Sequence, residues 1–363
     1  MPGTPKGPPL RLVRAIDRVR SGLTRLHRSS VPGNIALLEM ATGSWTTAAL
    51  YTAAKLGIPD VLAPGPARAT DVAAEVGADP DAVYRLMRAL AGKGVLKQRR
   101  DGRFANTGIG DALRSDSEGS LRDMVLFIGH PARWADWGNL LHSVHSGEAA
   151  VHKVHGMSFF DLLGTDPELA QVFNNAMTAV SGLTDDVTLS QYDFTRFSLV
   201  VDIGGGHGAL LATILRSAPE ARGILYDLPS VVSGAESTLH ASGVAHRVST
   251  SGGSFMSAVP DGGDAYVLKN IIHDWDDETS LTILRNIRTA ISSGGTLLLF
   301  EMVLPQRPTQ SLALMLDLEM LVTSGGRERT QLEYANLLSR AGFRLDRVIG
   351  TATPTSIIEA SPI

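Results

Sequence analysis

The chain has 363 residues, 33 lysines and arginines against 37 aspartates and glutamates, and no cysteine. This length predicts about two domains. The missing cysteines exclude disulfides, thiolate metal sites and a cysteine nucleophile, and they favour a reducing compartment, the cytoplasm. A content of 44% hydrophobic and 19% charged residues is typical of a globular protein, and no apolar run approaches the length of a membrane span.

The charge is unevenly distributed along the chain. Residues 1–28 hold seven basic residues and one acidic residue, a net charge of +6, so the remainder carries −10. The acidic remainder argues against nucleic-acid binding over most of the surface. Neither a nucleic acid nor a membrane is expected as a partner. The basic segment, residues 1–30, is expected to be a separate arm, either a solvated helix or an extension.

The hydrophobic pattern changes near residue 195, from helical spacing to short apolar runs that alternate with helical stretches. Strands are predicted at 198–203, 222–226, 264–268, 295–301, 343–349 and 354–360. Helices are predicted at 207–217, 229–242, 277–292 and 331–341. This alternation predicts an α/β, Rossmann-like domain with a doubly wound, mostly parallel sheet, preceded by a mainly α-helical domain.

Residues 48–108 have the pattern of a winged helix-turn-helix. Helices are expected at 48–56, at 70–76 behind a Thr70-Asp71 cap, and at 81–93 behind Asp79-Pro80. A hairpin turn is expected at 99–102. Such a shape often binds DNA, but fold alone does not establish function, so a DNA-binding regulator remains an alternative at this point.

A glycine-rich loop, Gly204 to Gly208, follows the apolar strand that ends at Ile203 and precedes a helix. Glycines there let a ligand approach the backbone and the positive end of the helix. Asp227 closes the next strand, where an acid accepts hydrogen bonds from ribose hydroxyls, as both NAD and S-adenosylmethionine (SAM) require. Asp202, two residues before the first glycine, could accept a hydrogen bond from the ammonium group of a ligand whose amino-acid part lies along the loop, directly or through water.

A second polar segment follows the predicted strand 264–268. His273 is a candidate general base, because its ordinary pKa lies near neutrality. Lys269 is expected one helical turn before it, and Trp275 offers an aromatic wall. Glu301 and Glu328 come from later segments, and a carboxylate bonded to Nδ1 would fix the tautomer of the histidine and raise its basicity.

These motifs occur together, in order, in one known family. Val201 to Gly208, Tyr226 to Pro229, Lys269 to Asp276, Leu299 to Glu301 and Gly325 to Thr330 resemble the SAM-dependent O-methyltransferases of the plant caffeate/isoflavone type, and in particular their bacterial natural-product branch. The resemblance spans roughly residues 30–360. It implies transfer of a methyl group from SAM to a hydroxyl of a small aromatic or polyketide-type acceptor, in a homodimer and without metal.

The resemblance also implies residue roles. His273 would be the base, oriented by Glu301 and Glu328. The cofactor would be bound by residues of the glycine loop and of three later segments: Asp202, Gly204, Gly206, Gly208, Asp227, Leu228, Ser254, Phe255 and Lys269. Ser254 stands where the family usually has aspartate, and its hydroxyl could still accept a hydrogen bond from the adenine amine.

The acceptor is expected to contact aromatic, methionine and polar side chains, since such side chains adapt to a planar ring. The candidates are Phe127, His130, Trp134, Phe173, Asn174, Met177, Trp275 and Met320. The expected domains are residues 1–30 (basic arm), 31–110 (winged-helix-like dimerisation domain), 111–190 (helical acceptor-pocket region) and 191–363 (SAM-binding catalytic domain).

Several alternatives stay open on the sequence alone. The same fold could bind SAM for non-methylating chemistry such as hydroxylation or decarboxylation, and an NAD enzyme is a weaker option. Four histidines, His142, His145, His152 and His155, have spacings that could be read as a zinc site, although no cysteine joins them.

Overall fold

The computed structural model describes residues 10–363, which divide into two compact units. The sheet unit comprises residues 10–18, 139–159 and 184–363, and the helical unit comprises residues 19–138 and 160–183. Lys6 and the other residues before Leu10 lie outside the described part. The predicted four-domain division is a different partition, and its boundaries stay predictions.

The helices are named here in chain order, without the 3₁₀ turns at Ala245–Arg247 and Ile272–Asp274. They are α1 (Leu10–Ser29), α2 (Gly33–Ala41), α3 (Gly43–Leu56), α4 (Ile58–Val61), α5 (Ala69–Val76), α6 (Pro80–Gly92), α7 (Gly108–Asp111), α8 (Arg122–Ile128), α9 (Pro131–Gly138), α10 (Leu140–Ser146), α11 (Ala150–His155), α12 (Phe159–Thr165), α13 (Pro167–Leu189), α14 (Ala209–Ser217), α15 (Pro229–Val232), α16 (Glu236–Ala241), α17 (Asp277–Ala290), α18 (Leu312–Thr323) and α19 (Gln331–Arg340).

The strands form one large sheet and two small ones. They are β1 (Leu96–Gln98), β2 (Phe104–Asn106), β3 (Leu199–Ile203), β4 (Arg222–Asp227), β5 (Val248–Gly252), β6 (Ala265–Lys269), β7 (Thr296–Glu301), β8 (Val303–Leu304), β9 (Arg329–Thr330), β10 (Phe343–Gly350) and β11 (Ser356–Pro362). The large sheet has the order β10-β11-β7-β6-β3-β4-β5, and the small ones pair β1 with β2 and β8 with β9.

The large sheet confirms the Rossmann-like prediction. Strands β7, β6, β3, β4 and β5 are parallel, and β10 and β11 add an antiparallel pair beside β7. Successive side chains of β3 enter opposite apolar layers: Val200 packs with α14, and Val201 packs with α17. Because both faces are covered, the polar ends of the strands are where ligands can reach the sheet.

The helical unit has its own core beneath a winged-helix arrangement. Helices α3, α5 and α6 pack with the β1–β2 hairpin around residues such as Met87 and Phe104, both fully buried. The side chain of Asp79 caps α6 by accepting a hydrogen bond from the amide of Ala82 at 2.8 Å, as the sequence predicts. The hairpin turn is closed by Arg99, which donates from its backbone amide to the carbonyl of Arg103.

Three local predictions were wrong, and one strand was missed. The expected helix 229–242 is two helices, α15 and α16. Lys269 ends a strand instead of lying in a helical turn, and α5 begins at Ala69, behind an Arg68 whose side chain makes no cap. Strand β5 was missed because it is a polar sheet edge, with serine, threonine and glycine after Val248, and so lacks an apolar run.

Over residues 10–363, no helix is both long enough and apolar enough to cross a membrane.

Candidate active site

The glycine loop joins β3 to α14 at the carboxyl edge of the sheet. Gly204, Gly206 and Gly208 have φ angles of 66°, 59° and 82°, a region that side chains with a Cβ rarely adopt. Gly208 is the N-cap of α14, so the loop ends at the positive pole of a nine-residue helix. A Cβ on Gly206 would meet nothing within 4 Å, so this part of the loop faces open space.

Gly205 is required for a different reason, close packing. A Cβ there would lie 2.5 Å from Cδ1 of Leu225 and 2.6 Å from Oδ2 of Asp202. The carboxylate of Asp202 therefore lies directly against the loop. Its side chain is buried, and Oδ2 accepts no hydrogen bond. Burial and the charge of Asp227 raise the pKa of Asp202 to about 7.

Asp227 ties the loop to the end of β4. Its Oδ2 accepts a hydrogen bond from the amide of Gly206 at 2.8 Å, and its Oδ1 accepts one from the amide of Leu228 at 2.7 Å. Lys269, at the end of β6, donates to Asp185 of α13. Strands β4, β3 and β6 are neighbours, which brings the carboxylates and the lysine to one edge.

An aromatic wall borders the same loop. The Phe255 ring lies 3.5 Å from where a Cβ on Gly204 would be, and Trp275 meets Phe255 edge to face with centroids 6.3 Å apart. Ser254 accepts a hydrogen bond from the amide of Met256 at 3.3 Å. The structure thus brings the sequence-predicted cofactor residues together, and it places Trp275 beside Phe255 at this wall.

Three observations show that the residues at the carboxyl edge of the large sheet fit SAM. Gly206 faces open space that a ligand could fill, Asp202 has a buried oxygen without a hydrogen-bond partner, and an apolar aromatic surface lies beside the loop. An unpartnered carboxylate oxygen suits an ammonium group, and an aromatic face suits an adenine ring.

His273 lies in a 3₁₀ turn after β6, among buried carboxylates. Its Nδ1 lies 2.7 Å from Oε1 of Glu328 and 3.6 Å from Oε2 of Glu301, and its Nε2 lies 3.8 Å from Oδ1 of Asp274. The side chains of both glutamates are fully buried. The predicted cluster of His273, Glu301 and Glu328 is therefore formed in the structure.

The Gly325 to Thr330 segment holds this turn in place. A Cβ on Gly326 would overlap the backbone of His273 and Asp274, so only glycine permits the approach. The amide of Arg327 donates to the carbonyl of His273 at 2.8 Å. The buried guanidinium of Arg329 donates to the carbonyls of Ile272 and Trp275.

The remaining glutamate is fixed from the other side of the turn. Oε1 of Glu301, at the end of β7, accepts from the amide of Ile272 at 2.9 Å and from that of Ile271 at 3.3 Å. These bonds aim the free Oε2 toward the imidazole. The carboxylate thus serves both as a structural anchor of the turn and as a charge beside His273.

The carboxylates decide the protonation of His273. Burial alone would lower its pKa, but Glu301, Asp274 and the hydrogen bond to Glu328 outweigh burial and raise the pKa to about 10. The pKa of His273 in the folded protein therefore exceeds its ordinary value, about 6.5, in the unfolded chain. The full stabilising contribution of the cluster to folding is present below about pH 6.5. That contribution is lost as the pH rises through about 10.

The same three side chains could also hold a metal ion, since one ligand atom from each lies within 4.8 Å of the others. Within residues 10–363, His142, His145, His152 and His155 form no such group. The zinc interpretation of those four histidines therefore has no support from the described geometry.

The predicted acceptor residues fall in different parts of the chain. In the helical unit, Phe127 is buried and meets Phe173 edge to face at 5.4 Å, His130 has a pKa lowered by burial, and Met177 is half-buried. Trp134 and Asn174 are exposed. In the sheet unit, Met320 of α18 is buried.

Two residues of the site were not assigned from the sequence. Asp274 approaches Nε2 of His273, and its position next to the histidine was a usable signal. Asp185 lies in a long helical segment far from the motifs, and no local pattern marks it.

Comparison with known proteins identifies the family. Residues 137–344 match the model of the O-methyltransferase domain, and residues 38–116 match that of the O-methyltransferase dimerisation domain. The chain is 42% identical to a phenazine O-methyltransferase from Lysobacter antibioticus, over 92% of this chain and 98% of that protein. It is 36% identical to a mitomycin biosynthesis 6-O-methyltransferase from Streptomyces lavendulae, over 88% and 92%.

A solved structure agrees with these sequence matches. Human N-acetylserotonin methyltransferase in complex with SAM superimposes with a TM-score of 0.84 at 28% identity, covering 92% of this chain and 98% of that one. The relatives favour methyl transfer over the hydroxylase, NAD and DNA-binding alternatives. The chain therefore belongs to the O-methyltransferase family and is a SAM-dependent methyltransferase.

Proposed function

We propose that the enzyme methylates a phenolic hydroxyl and that His273 accepts the proton of that hydroxyl. The observation that carries this proposal is the 2.7 Å contact between Nδ1 of His273 and Glu328. A proton held on Nδ1 by the carboxylate leaves Nε2 as the basic nitrogen. The natural-product relatives support an aromatic hydroxyl as the acceptor.

The cofactor is proposed to lie on the glycine loop. Asp202 would accept from its ammonium group, Asp227 from the ribose hydroxyls, and Phe255 would cover the adenine. Gly204, Gly206 and Gly208 would line its methionine part, beside Leu228, Ser254 and Lys269. When bound, SAM supplies an electrophilic methyl group on a sulfonium.

Proton transfer from the acceptor to His273 is favoured because the two groups have similar pKa values. A phenol has a pKa near 10, and the carboxylates raise the pKa of His273 to about 10. Below about pH 10 His273 mostly carries a second proton, and only its neutral form accepts the phenol proton. For that form, a phenol hydrogen-bonded to imidazole and a phenolate paired with imidazolium are close in free energy, so moving the proton costs little. Holding the oxygen in line for transfer is the larger remaining requirement.

Asp274 is proposed to tune this step. It faces the Nε2 side of His273 at 3.8 Å, and burial raises its pKa to about 6. Above that pH its negative charge favours the imidazolium. We further propose that the reaction is metal-independent, because Nδ1 of His273 is already engaged by Glu328.

We also propose that the enzyme is a homodimer and that α1 contributes to the contact. No residue of α1 is buried, and its apolar side chains follow a three- and four-residue spacing on one face: Leu12, Ile16, Val19, Leu23 and Leu26. Leu37, Leu38 and Trp45 are further exposed apolar side chains, and the last two lie within the matched dimerisation domain. A second copy is the partner that would cover these side chains.

Replacing His273 by asparagine tests the base. Asparagine keeps an N–H near Glu328 but cannot accept the proton, so kcat should fall by about 10²- to 10⁴-fold with the Kd for SAM unchanged. Methyl transfer to a panel of phenols, followed as S-adenosylhomocysteine (SAH) formation, measures this. His240→Asn, at an exposed histidine, is the matched control. Unaltered turnover in H273N, or loss of wild-type turnover with EDTA, would contradict the proposal.

Replacing Gly205 by alanine tests the cofactor placement. The new methyl group would press on Leu225 and Asp202. Overpacking of about 1–3 kcal/mol should weaken SAM binding about tenfold or more, measured by calorimetry. Gly294→Ala, where a Cβ meets nothing within 4 Å, should bind SAM normally. Equal SAM affinities in the two variants would place the cofactor elsewhere.

Paired substitutions in α1 test the dimer. Ile16→Ser with Leu23→Ser removes two apolar side chains from the stripe and should lower the dimer mass toward that of a monomer, as measured by light scattering. Arg18→Ser with Arg25→Ser has the same seven-residue spacing on the polar face and should leave the mass unchanged. A dimer that survives the first pair at micromolar concentration would exclude this role for α1.

A further inference from the structure

A buried ion pair that the proton-transfer chemistry does not use lies beside the glycine loop. Asp185 of α13 accepts a hydrogen bond from Nζ of Lys269, and the two side chains are only 9% and 13% exposed. Burying two charges costs hydration that one ion pair rarely repays, and apolar replacements are often as stable. Stability therefore accounts poorly for a charged pair at this position.

The pair belongs to a larger charged cluster. Asp202 feels the charges of Asp227, Lys269 and Asp185. Asp227 and Lys269 end their strands and Asp202 lies one residue before the end of the strand between them, and Asp185 reaches them from α13. The cluster holds three carboxylates and one ammonium, so its net charge is negative when all are ionised. Oδ2 of Asp202 still lacks a hydrogen-bond partner.

Substrate and product of the reaction differ in charge. SAM and SAH both carry an ammonium group and a carboxylate, but only SAM has the sulfonium, so it bears one more positive charge. A fixed negative charge near the site attracts SAM more strongly than SAH. A low-dielectric setting, such as the buried ends of β3 and β6, increases the difference.

We propose that Asp185 is a positioning residue whose charge shifts the balance of cofactor binding from SAH toward SAM. Asp185 neutralises Lys269 and holds it in place, which leaves the charges of Asp202 and Asp227 to act on the cofactor. Loss of the sulfonium charge during methyl transfer then loosens the product. This inference rests on the proposed placement of SAM on the glycine loop.

Calorimetric titration of the purified enzyme with SAM and with SAH, without acceptor, tests the inference. Asp185→Asn keeps the shape and removes one negative charge. The ratio Kd(SAH)/Kd(SAM) should fall about three- to tenfold, the size expected for one charge several ångströms away. Asp186→Asn is the matched control, because Asp186 is 65% exposed and pairs with Arg216. Its ratio should equal that of the wild type.

A second variant should change the ratio Kd(SAH)/Kd(SAM) in the opposite direction. Lys269→Met removes the cation, so the same ratio should rise. A general loosening of the site would weaken both ligands alike in either variant and leave the ratio unchanged. The inference is overturned if D185N leaves the ratio unaltered or if both variants move it in one direction. If D185N does not fold, the direction of the K269M ratio alone decides.

The outcome is independent of the proposed methyl transfer. Binding is measured without an acceptor, so an enzyme that fails to methylate phenols can still show the ratio change. Conversely, retained catalysis with an unaltered ratio in D185N would overturn the role of Asp185 and leave the function of His273 intact.

Discussion

The active site depends on an imidazole that is buried among carboxylates. Water does not reach these carboxylates and so cannot solvate their charge. Glu301 and Glu328 are fully buried, and each has one oxygen without a hydrogen-bond partner. Ionised carboxylates in that setting are stable only beside a cation. His273 supplies the cation, and the raised pKa of the histidine is the measure of that mutual dependence.

The surrounding chain is arranged to hold this cluster together. Glycine at 326 permits the backbone of one loop to touch the turn that carries His273. Arg329 donates hydrogen bonds to the backbone carbonyls of that turn. Glu301 lies at the end of a central strand, where pairing with Ser356 of β11 fixes its backbone position. The sheet, the turn and the loop thus all contact the imidazole of His273. The residues proposed to bind the cofactor lie at the carboxyl ends of the adjoining strands.

Much of this arrangement could be predicted from the sequence, because its determinants are local. Apolar runs located β3, β6 and β7, and the glycines located the loop. Glu301 ended a predicted strand, His273 followed another, and Glu328 lay in a motif of the resemblance. Strand β5 could not be found, since an edge strand needs no buried face. Asp185 could not be found either, because its pairing with Lys269 spans 84 positions and leaves no local pattern.

The most direct test of the account is the pKa of His273 in the free enzyme. Histidine-selective ¹⁵N labelling, with His273→Asn used to assign the signal, gives both the tautomer and the titration curve by NMR. We expect a midpoint at about 10, because the carboxylates outweigh burial, and a proton on Nδ1 in the neutral form above that midpoint. A midpoint at or below the ordinary value, near 6.5, would show that the carboxylates do not hold the proton and would contradict the account.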